Sequence, residues 1–244
     1  MPDGNMVLSI VLPAYEEAEN LDRLLPKLHG VAKGLAGSYE IVVVDTERPR
    51  DSTPEVCERH GARYVARRGG SMYGNAVETG IAASAGEYVV FMDADGSHNP
   101  DFMPELWKWR SDYDLVIASR YAPGGKTENP WMLIAMSQMV NVIFRLALGL
   151  NCLDVSNSFR LYRGDDLRKL RLECHHFDIV EEILVKLSYM SRTGQPYRIK
   201  EVPSTFEKRK AGKTKRQLLT FAIGYAGTLW RLVSLKRKIV AGSR

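Results

Sequence analysis

Glu87-Tyr88-Val89-Val90-Phe91-Met92-Asp93-Ala94-Asp95-Gly96 is the stretch that decides the fold of this 244-residue chain. A short apolar run, with Gly86 before it and a Gly-Ser-His-Asn-Pro turn after it, reads as a buried strand. Two carboxylates one residue apart at its tip are costly unless a cation joins them. Hard cations such as Mg²⁺ or Mn²⁺ take oxygen ligands, and Mg²⁺ commonly combines one or two carboxylates with substrate phosphates. The carboxyl end of a strand is also where open α/β sheets bind ligands. Asp93 and Asp95 are therefore candidate metal ligands, against the plainer reading of a polar turn that ends a strand.

Working outward, apolar runs alternate with helical patterns. Met6–Leu12 is a strand ended by Pro13, and Glu16–Leu28 a helix with Leu21, Leu24, Leu25 and Leu28 on one face. Glu40–Val44 is a strand whose unbroken apolar run marks burial on both faces. Thr53–His60 reads as a short helix, with Thr53 as N-cap and Pro54 at the first helical position. Ala62–Ala66 is a third strand, Tyr73–Ala83 a helix, Phe102–Arg110 a helix and Asp114–Ser119 a fifth strand. This alternation over 6–119 predicts an α/β fold with a doubly wound, mostly parallel sheet flanked by helices. Neither G-x-G-x-x-G after the first strand nor G-x-x-x-x-G-K-[ST] occurs, so phosphates need another holder, and a metal is the natural one.

Composition sets further bounds. Apolar residues make up 45% of the chain, as in an ordinary globular protein. Cys57, Cys152 and Cys174 are odd in number and lack metal-ligand spacing, so they read as reduced thiols. The N-terminus lacks the basic segment of a signal peptide. The net charge of +5 hides an asymmetry. Eleven of the 34 Lys and Arg lie in 208–244 and none of the 29 Asp and Glu, which leaves the first 207 residues acidic. A basic tail suits an anionic partner: a membrane surface, a phosphate ligand or nucleic acid.

Two apolar stretches bear on the membrane. Trp131–Leu150 is long enough to span a bilayer, but Gln138, Asn141, Arg145 and Gly149 argue against that. It reads either as a partly exposed amphipathic helix, with Met132, Met136, Met139, Val140, Ile143 and Phe144 on its apolar side, or as a core helix. Residues 218–235 form a second apolar helix, flanked by Lys213, Lys215 and Arg216 and by Lys236, Arg237 and Lys238. With Arg231 inside it and Trp230 beside that, it suits the headgroup region of a membrane rather than a span.

Several segments together carry a resemblance: Ile10-Val11-Leu12-Pro13-Ala14-Tyr15-Glu16-Glu17-Ala18-Glu19-Asn20-Leu21, Val42-Val43-Val44-Asp45, Asp93-Ala94-Asp95-Gly96-Ser97-His98, Ser119-Arg120-Tyr121 and Ser156-Asn157-Ser158-Phe159-Arg160-Leu161-Tyr162-Arg163. Over roughly residues 6–215 the chain resembles the family 2 glycosyltransferases of GT-A fold, and among them the dolichol-phosphate or polyprenol-phosphate mannosyltransferases. The resemblance implies a catalytic domain over 1–215, whose 6–119 half binds nucleotide sugar and whose 120–215 half faces the acceptor. Residues 216–244 follow as a basic amphipathic helix. It implies Pro13, Tyr15, Glu17, Asp45, Asp93 and Ala94 around the nucleotide, with Asp93 and Asp95 meeting the donor diphosphate through Mg²⁺ or Mn²⁺. Arg120, Arg160 and Arg209, with Ser158 and Lys215, would face phosphates of donor or acceptor, and Arg120 and Arg160 join the two aspartates as catalytic candidates. Arg offers a planar, permanently charged fork that matches phosphate oxygens, though each Arg also reads as a surface salt bridge.

Two departures matter. Where the family has Asp-Asp-Gly-Ser-Pro-Asp-Gly-Thr, this chain has Asp45-Thr46-Glu47-Arg48-Pro49-Arg50-Asp51-Ser52-Thr53, which leaves GDP and UDP both open. Its Ser71-Met72-Tyr73-Gly74-Asn75-Ala76 replaces a Gly-Leu-Gly-x-Ala segment and leaves the sugar open. The expected reaction is metal-dependent transfer of a sugar, with inversion, from a nucleoside diphosphate to a polyprenyl monophosphate. An anionic phosphate acceptor needs positioning rather than a base. A sugar hydroxyl would need one, from Asp154, Asp178, Glu181 or Glu182. Of Glu181 and Glu182, one is expected to face solvent. His98 lies beside the aspartates, with a site role and a structural role both open, and His175-His176 reads as structural. Transfer to a hydroxyl, or nucleotide-sugar binding without catalysis, are the alternatives. The expected location is the cytoplasmic face of a membrane, held peripherally, with no nucleic-acid partner and with room for a membrane partner subunit.

Overall fold

The computed structural model describes residues 6–192, 194–207 and 218–242. Strand β1 (Leu8–Pro13), helix α1 (Ala18–Leu35), β2 (Tyr39–Asp45), α2 (Thr53–His60), β3 (Arg63–Ala66), α3 (Tyr73–Ala83) and β4 (Tyr88–Phe91) alternate in the order expected. A 3₁₀ turn at Pro100–Phe102 leads into α4 (Met103–Lys108), β5 (Leu115–Ser119), β6 (Lys126–Thr127), α5 (Trp131–Leu148), β7 (Arg160–Arg163), α6 (Gly164–Arg168) and α7 (Ile179–Ser188). The chain continues through β8 (Ser191–Arg192), β9 (Gln195–Pro196), β10 (Ile199–Pro203), β11 (Thr205–Phe206) and α8 (Leu218–Gly242).

Seven strands form the central sheet in the order β10-β5-β7-β4-β1-β2-β3. All neighbours pair in parallel except β7, which runs antiparallel between β4 and β5. The alternating strand residues bury two cores. Ile10, Leu12, Ile41, Val43 and Val90 face α1, α2 and α4, while Val11, Val42, Val44, Val89 and Phe91 face α3, α5 and α7. That two-sided burial is why these strands read as unbroken apolar runs.

Some boundaries differ from expectation. Helix α1 runs on to Leu35 because Leu28 and Ala32 continue its buried face past Pro26. The N-cap of α2 is Ser52, not Thr53, and neither side chain caps it. Asp51 does that work: Oδ1 accepts the Thr53 N–H and Oδ2 accepts the Ala18 N–H, both at 3.0 Å. One carboxylate thus closes the N-termini of α1 and α2, a favourable place for negative charge. The helix expected over 102–110 ends at Lys108.

Helix α5 is surface-laid. Asn141, Phe144 and Leu148 are buried, and the Asn141 Oδ1 accepts the Val155 N–H at 2.7 Å. Its outer face bares Trp131, Met139 and Leu146, which are 79%, 58% and 72% exposed. Helix α8 is no loose tail. Leu232 is fully buried, and Arg231 pairs with Asp178 just ahead of α7. Its Trp230 faces outward.

Candidate active site

The carboxyl ends of β1, β2 and β4 meet at one edge of the sheet, where Pro13 pairs with Val44 and Val11 with Phe91. Pro13, Tyr15, Glu17, Asp45, Asp93 and Ala94 are placed by these three strand ends. Tyr15 accepts a hydrogen bond from Arg50 Nη1 at 2.8 Å, and the guanidinium lies 5.4 Å from its ring centre. Arg50 belongs to the divergent loop after β2, so that loop reaches across to the residue that follows β1. Glu17 accepts from Asn20 at 2.6 Å, which orients its carboxylate at the entry to α1.

Asp45 is 1% exposed, and neither of its carboxylate oxygens accepts a hydrogen bond. Burial pushes its pKa up. The nearby Thr46 N–H works against that shift without reaching hydrogen-bond geometry, and Asp51 adds to it. A buried carboxylate lacking partners costs free energy in the bare protein, which a hydrogen-bond donor on a ligand would offset. Arg67 was not picked out by its sequence pattern. Its Nε donates to the Asp45 carbonyl, and its terminal nitrogens reach the carbonyls of Ala14, Ser71 and Met72. One buried fork thereby fixes the ends of β1 and β2 and the approach to α3.

The Asp93–Asp95 turn is held from several sides. Ser158 donates to Asp93 Oδ1 at 2.9 Å. Ser97 donates its N–H and its hydroxyl to Asp95 Oδ1, at 2.9 and 2.5 Å. Gly96 sits at φ +77°, in the left-handed region where glycine carries no Cβ penalty. Two pre-placed carboxylates are a hard oxygen donor set that fits Mg²⁺ or Mn²⁺. Among the described residues no group of three or more His, Cys, Asp or Glu forms a fuller cage. The remaining ligands would therefore come from substrate phosphate and water, as such ions commonly arrange.

Other candidates are corrected. Arg160 is fully buried at the start of β7, and its guanidinium donates to the carbonyls of Val155 and Val180. It braces the core instead of facing a phosphate. Arg120 sits just past β5 at the pocket side, but its fork grips Asp154 through two hydrogen bonds of 2.8 and 2.7 Å and reaches Ser156. It positions the 154–156 loop rather than presenting an open fork. The four candidate bases are likewise committed or buried. Asp154 holds Arg120, Asp178 holds Arg231, and Glu182 accepts the Glu173 and Cys174 N–H groups beside Lys186. Glu181 is buried in α7, so neither Glu faces solvent as expected for one of them. Ser158, expected at the acceptor phosphate, donates its hydroxyl to Asp93 and so lies against the Asp93–Asp95 turn. Arg209 and Lys215 lie outside the described residues.

Comparison with known proteins places this arrangement. Residues 9–171 match the model of the family described as glycosyl transferase family 2. The chain belongs to that family. It is a glycosyltransferase, and its sheet with flanking helices is the GT-A fold. It is 32% identical over 220 residues to the undecaprenyl-phosphate mannosyltransferase of Micrococcus luteus, covering 84% of this chain and 85% of that one. It is 30% identical over 241 residues to the dolichol-phosphate mannosyltransferase of Pyrococcus furiosus. That match covers 96% of this chain but only 66% of that relative, a little under two thirds of its length. Glucosyl-3-phosphoglycerate synthase from Mycobacterium tuberculosis shares the fold. Its complex with phosphoglyceric acid superposes with a TM-score of 0.71 at 20% identity, over 94% of this chain and 80% of that one. The same enzyme is also known with Mn²⁺ and uridine-diphosphate-glucose.

Proposed function

We propose that this glycosyltransferase moves mannose from a GDP- or UDP-linked donor onto a polyprenyl monophosphate, with inversion, at the cytoplasmic face of a membrane. The names of the mannosyltransferase relatives support the sugar and the acceptor. The observation that carries the reading is the state of the carboxylates. The Asp93–Asp95 pair would serve the donor end, while the four candidate bases offered by the sequence, Asp154, Asp178, Glu181 and Glu182, are tied up or buried. A phosphate monoester is already an anion near neutral pH and attacks without a base, whereas a hydroxyl needs one within hydrogen-bond reach.

Asp93 and Asp95 would hold Mg²⁺ or Mn²⁺ against the donor diphosphate. The ion, when bound, supplies charge stabilisation for the departing nucleoside diphosphate. Asp45, Tyr15 and Pro13 would seat the nucleoside, with Arg67 keeping their strand ends in register. A single in-line displacement inverts the anomeric carbon.

The outer faces of α5 and α8 support peripheral membrane contact. Trp131, Met132, Leu133, Met139, Val142, Ile143 and Leu146 on α5 and Trp230 on α8 are exposed apolar groups, with Arg237 and Lys238 exposed near the end of α8. Apolar groups with basic neighbours suit the boundary between acyl chains and anionic headgroups. Helix α5 is long and apolar enough to cross a bilayer, but its Asn141, Phe144 and Leu148 are committed to the protein core.

The test is an acceptor panel. Purified protein with Mn²⁺ or Mg²⁺ is given labelled GDP-mannose and UDP-hexoses, with a short prenyl phosphate or with free sugars and glycans. Label extracted into organic solvent with prenyl phosphate is the expected outcome. Label appearing only on sugar hydroxyls would overturn the acceptor assignment, and nucleotide-sugar binding without turnover would overturn catalysis.

A further inference from the structure

His98 forms part of a hydrogen-bonded chain whose directions are fixed by chemistry. The Asp93 backbone N–H, which can only donate, points at His98 Nδ1 at 3.0 Å. Nδ1 therefore holds the lone pair, and the ring proton sits on Nε2, 3.0 Å from Asn157 Oδ1. The Asn157 amide nitrogen in turn donates to the Ala118 carbonyl, which can only accept, so the orientation of Asn157 is fixed as well. The ring is 3% exposed. It stacks on Phe159 with centres 5.2 Å apart and meets the edge of Phe206 at 5.5 Å.

Three successive residues thus grip one turn: Asn157 holds the His98 ring nitrogen, Ser158 the Asp93 carboxylate and Phe159 the His98 ring face. We propose that His98 is a positioning residue for the donor site: through Nδ1 it fixes the main chain at Asp93 and so sets the spacing of the two carboxylates. The assignment rests on reading Asp93 and Asp95 as the metal carboxylates. Groups that orient metal ligands from behind typically change metal affinity 10–100-fold when removed. Losing the Nδ1 acceptor would also leave the Asp93 N–H unpaired.

Two substitutions separate this role from mere packing. His98→Asn places an amide oxygen near the position of Nδ1 and keeps an acceptor for Asp93. His98→Gln reaches toward Asn157 and supplies none at Nδ1. The readouts are hydrogen exchange of the Asp93 amide, the melting temperature, and Mn²⁺ binding by calorimetry with saturating GDP or UDP. His98→Gln is expected to unprotect the Asp93 amide and weaken Mn²⁺ binding about 10–100-fold. His98→Asn should restore both to within about threefold of the native protein, whatever its melting temperature. Native-like Mn²⁺ binding and amide protection in His98→Gln, or no difference between the two variants, would overturn the proposal. Failure of the native protein to bind Mn²⁺ with either nucleotide would overturn the metal reading of the site. Asp93 protection lost only in His98→Gln would still support the tie itself.

Discussion

At the scale of single residues, Asp45 is a buried carboxylate whose ionised form costs stability. Burial raises its pKa above the ordinary value near 3.8. The stability that a protonated Asp45 contributes is therefore fully present below that value and is lost as pH rises through the folded-state pKa. At pH 7 the buried carboxylate is a net cost. Asp45→Asn should melt higher than the native protein at pH 7, by about 1 kcal/mol or roughly 2–4 °C. The gain should shrink as pH falls toward 3.8, and calorimetry should find nucleotide binding weaker in the variant. Asp45, Asp93 and Asp95 were legible in the sequence because each interrupts an apolar run at a strand end, where burial and polarity conflict. Arg160 was not legible. Its partners are the carbonyls of Val155 and Val180, one in a loop and one in α7, and no local pattern tells a guanidinium aimed into the core from one aimed at a phosphate. His98 was seen only as a neighbour of the aspartates, since its role depends on Asn157, 59 positions along the chain.

At the scale of elements, α3 packs closely on the 174–177 loop. An added Cβ at Gly74 would lie 2.5–2.6 Å from His175 backbone atoms, and the Gly74 N–H donates to the His175 carbonyl at 2.8 Å. Gly74→Ala should therefore destabilise the protein by about 1–3 kcal/mol, since backbone on both sides must part. Denaturant unfolding measures this, and an unchanged midpoint would mean that the two segments separate freely. The periodicity that marked α3 at Tyr73–Ala83 was enough to locate it, as it was for the five strands up to Ser119. What the pattern could not supply was the strand that joins the sheet from beyond residue 119. Antiparallel β7 follows the long excursion through α5, and its place between β4 and β5 is set by pairing across the sheet. Helix α8 was expected as a separate basic element, but the Asp178–Arg231 pair and buried Leu232 bind it to the body.

For the whole molecule, exposed apolar groups on α5 and Trp230 on α8 share the surface with the exposed Arg237 and Lys238 of α8. If the α5–α8 face docks on anionic membranes, the double change Arg237→Glu and Lys238→Glu should weaken binding to phosphatidylserine-containing vesicles about 30-fold or more at low salt. The difference should fade at high salt as surface charges are screened. Equal sedimentation with vesicles at low salt would argue against that face. These changes leave Leu232 and Arg231 in place, so they test docking without loosening α8 from the protein.

In the proposed function the Asp93–Asp95 turn is where the donor diphosphate would be held. Its most direct test is transfer of labelled sugar to a short prenyl phosphate by the native protein and by Asp95→Ala, each with Mn²⁺ and with excess chelator. Organic-extractable label from the native protein with Mn²⁺ alone, and none from Asp95→Ala, is the expected result. Undiminished transfer by Asp95→Ala, or by the native protein in chelator, would contradict it.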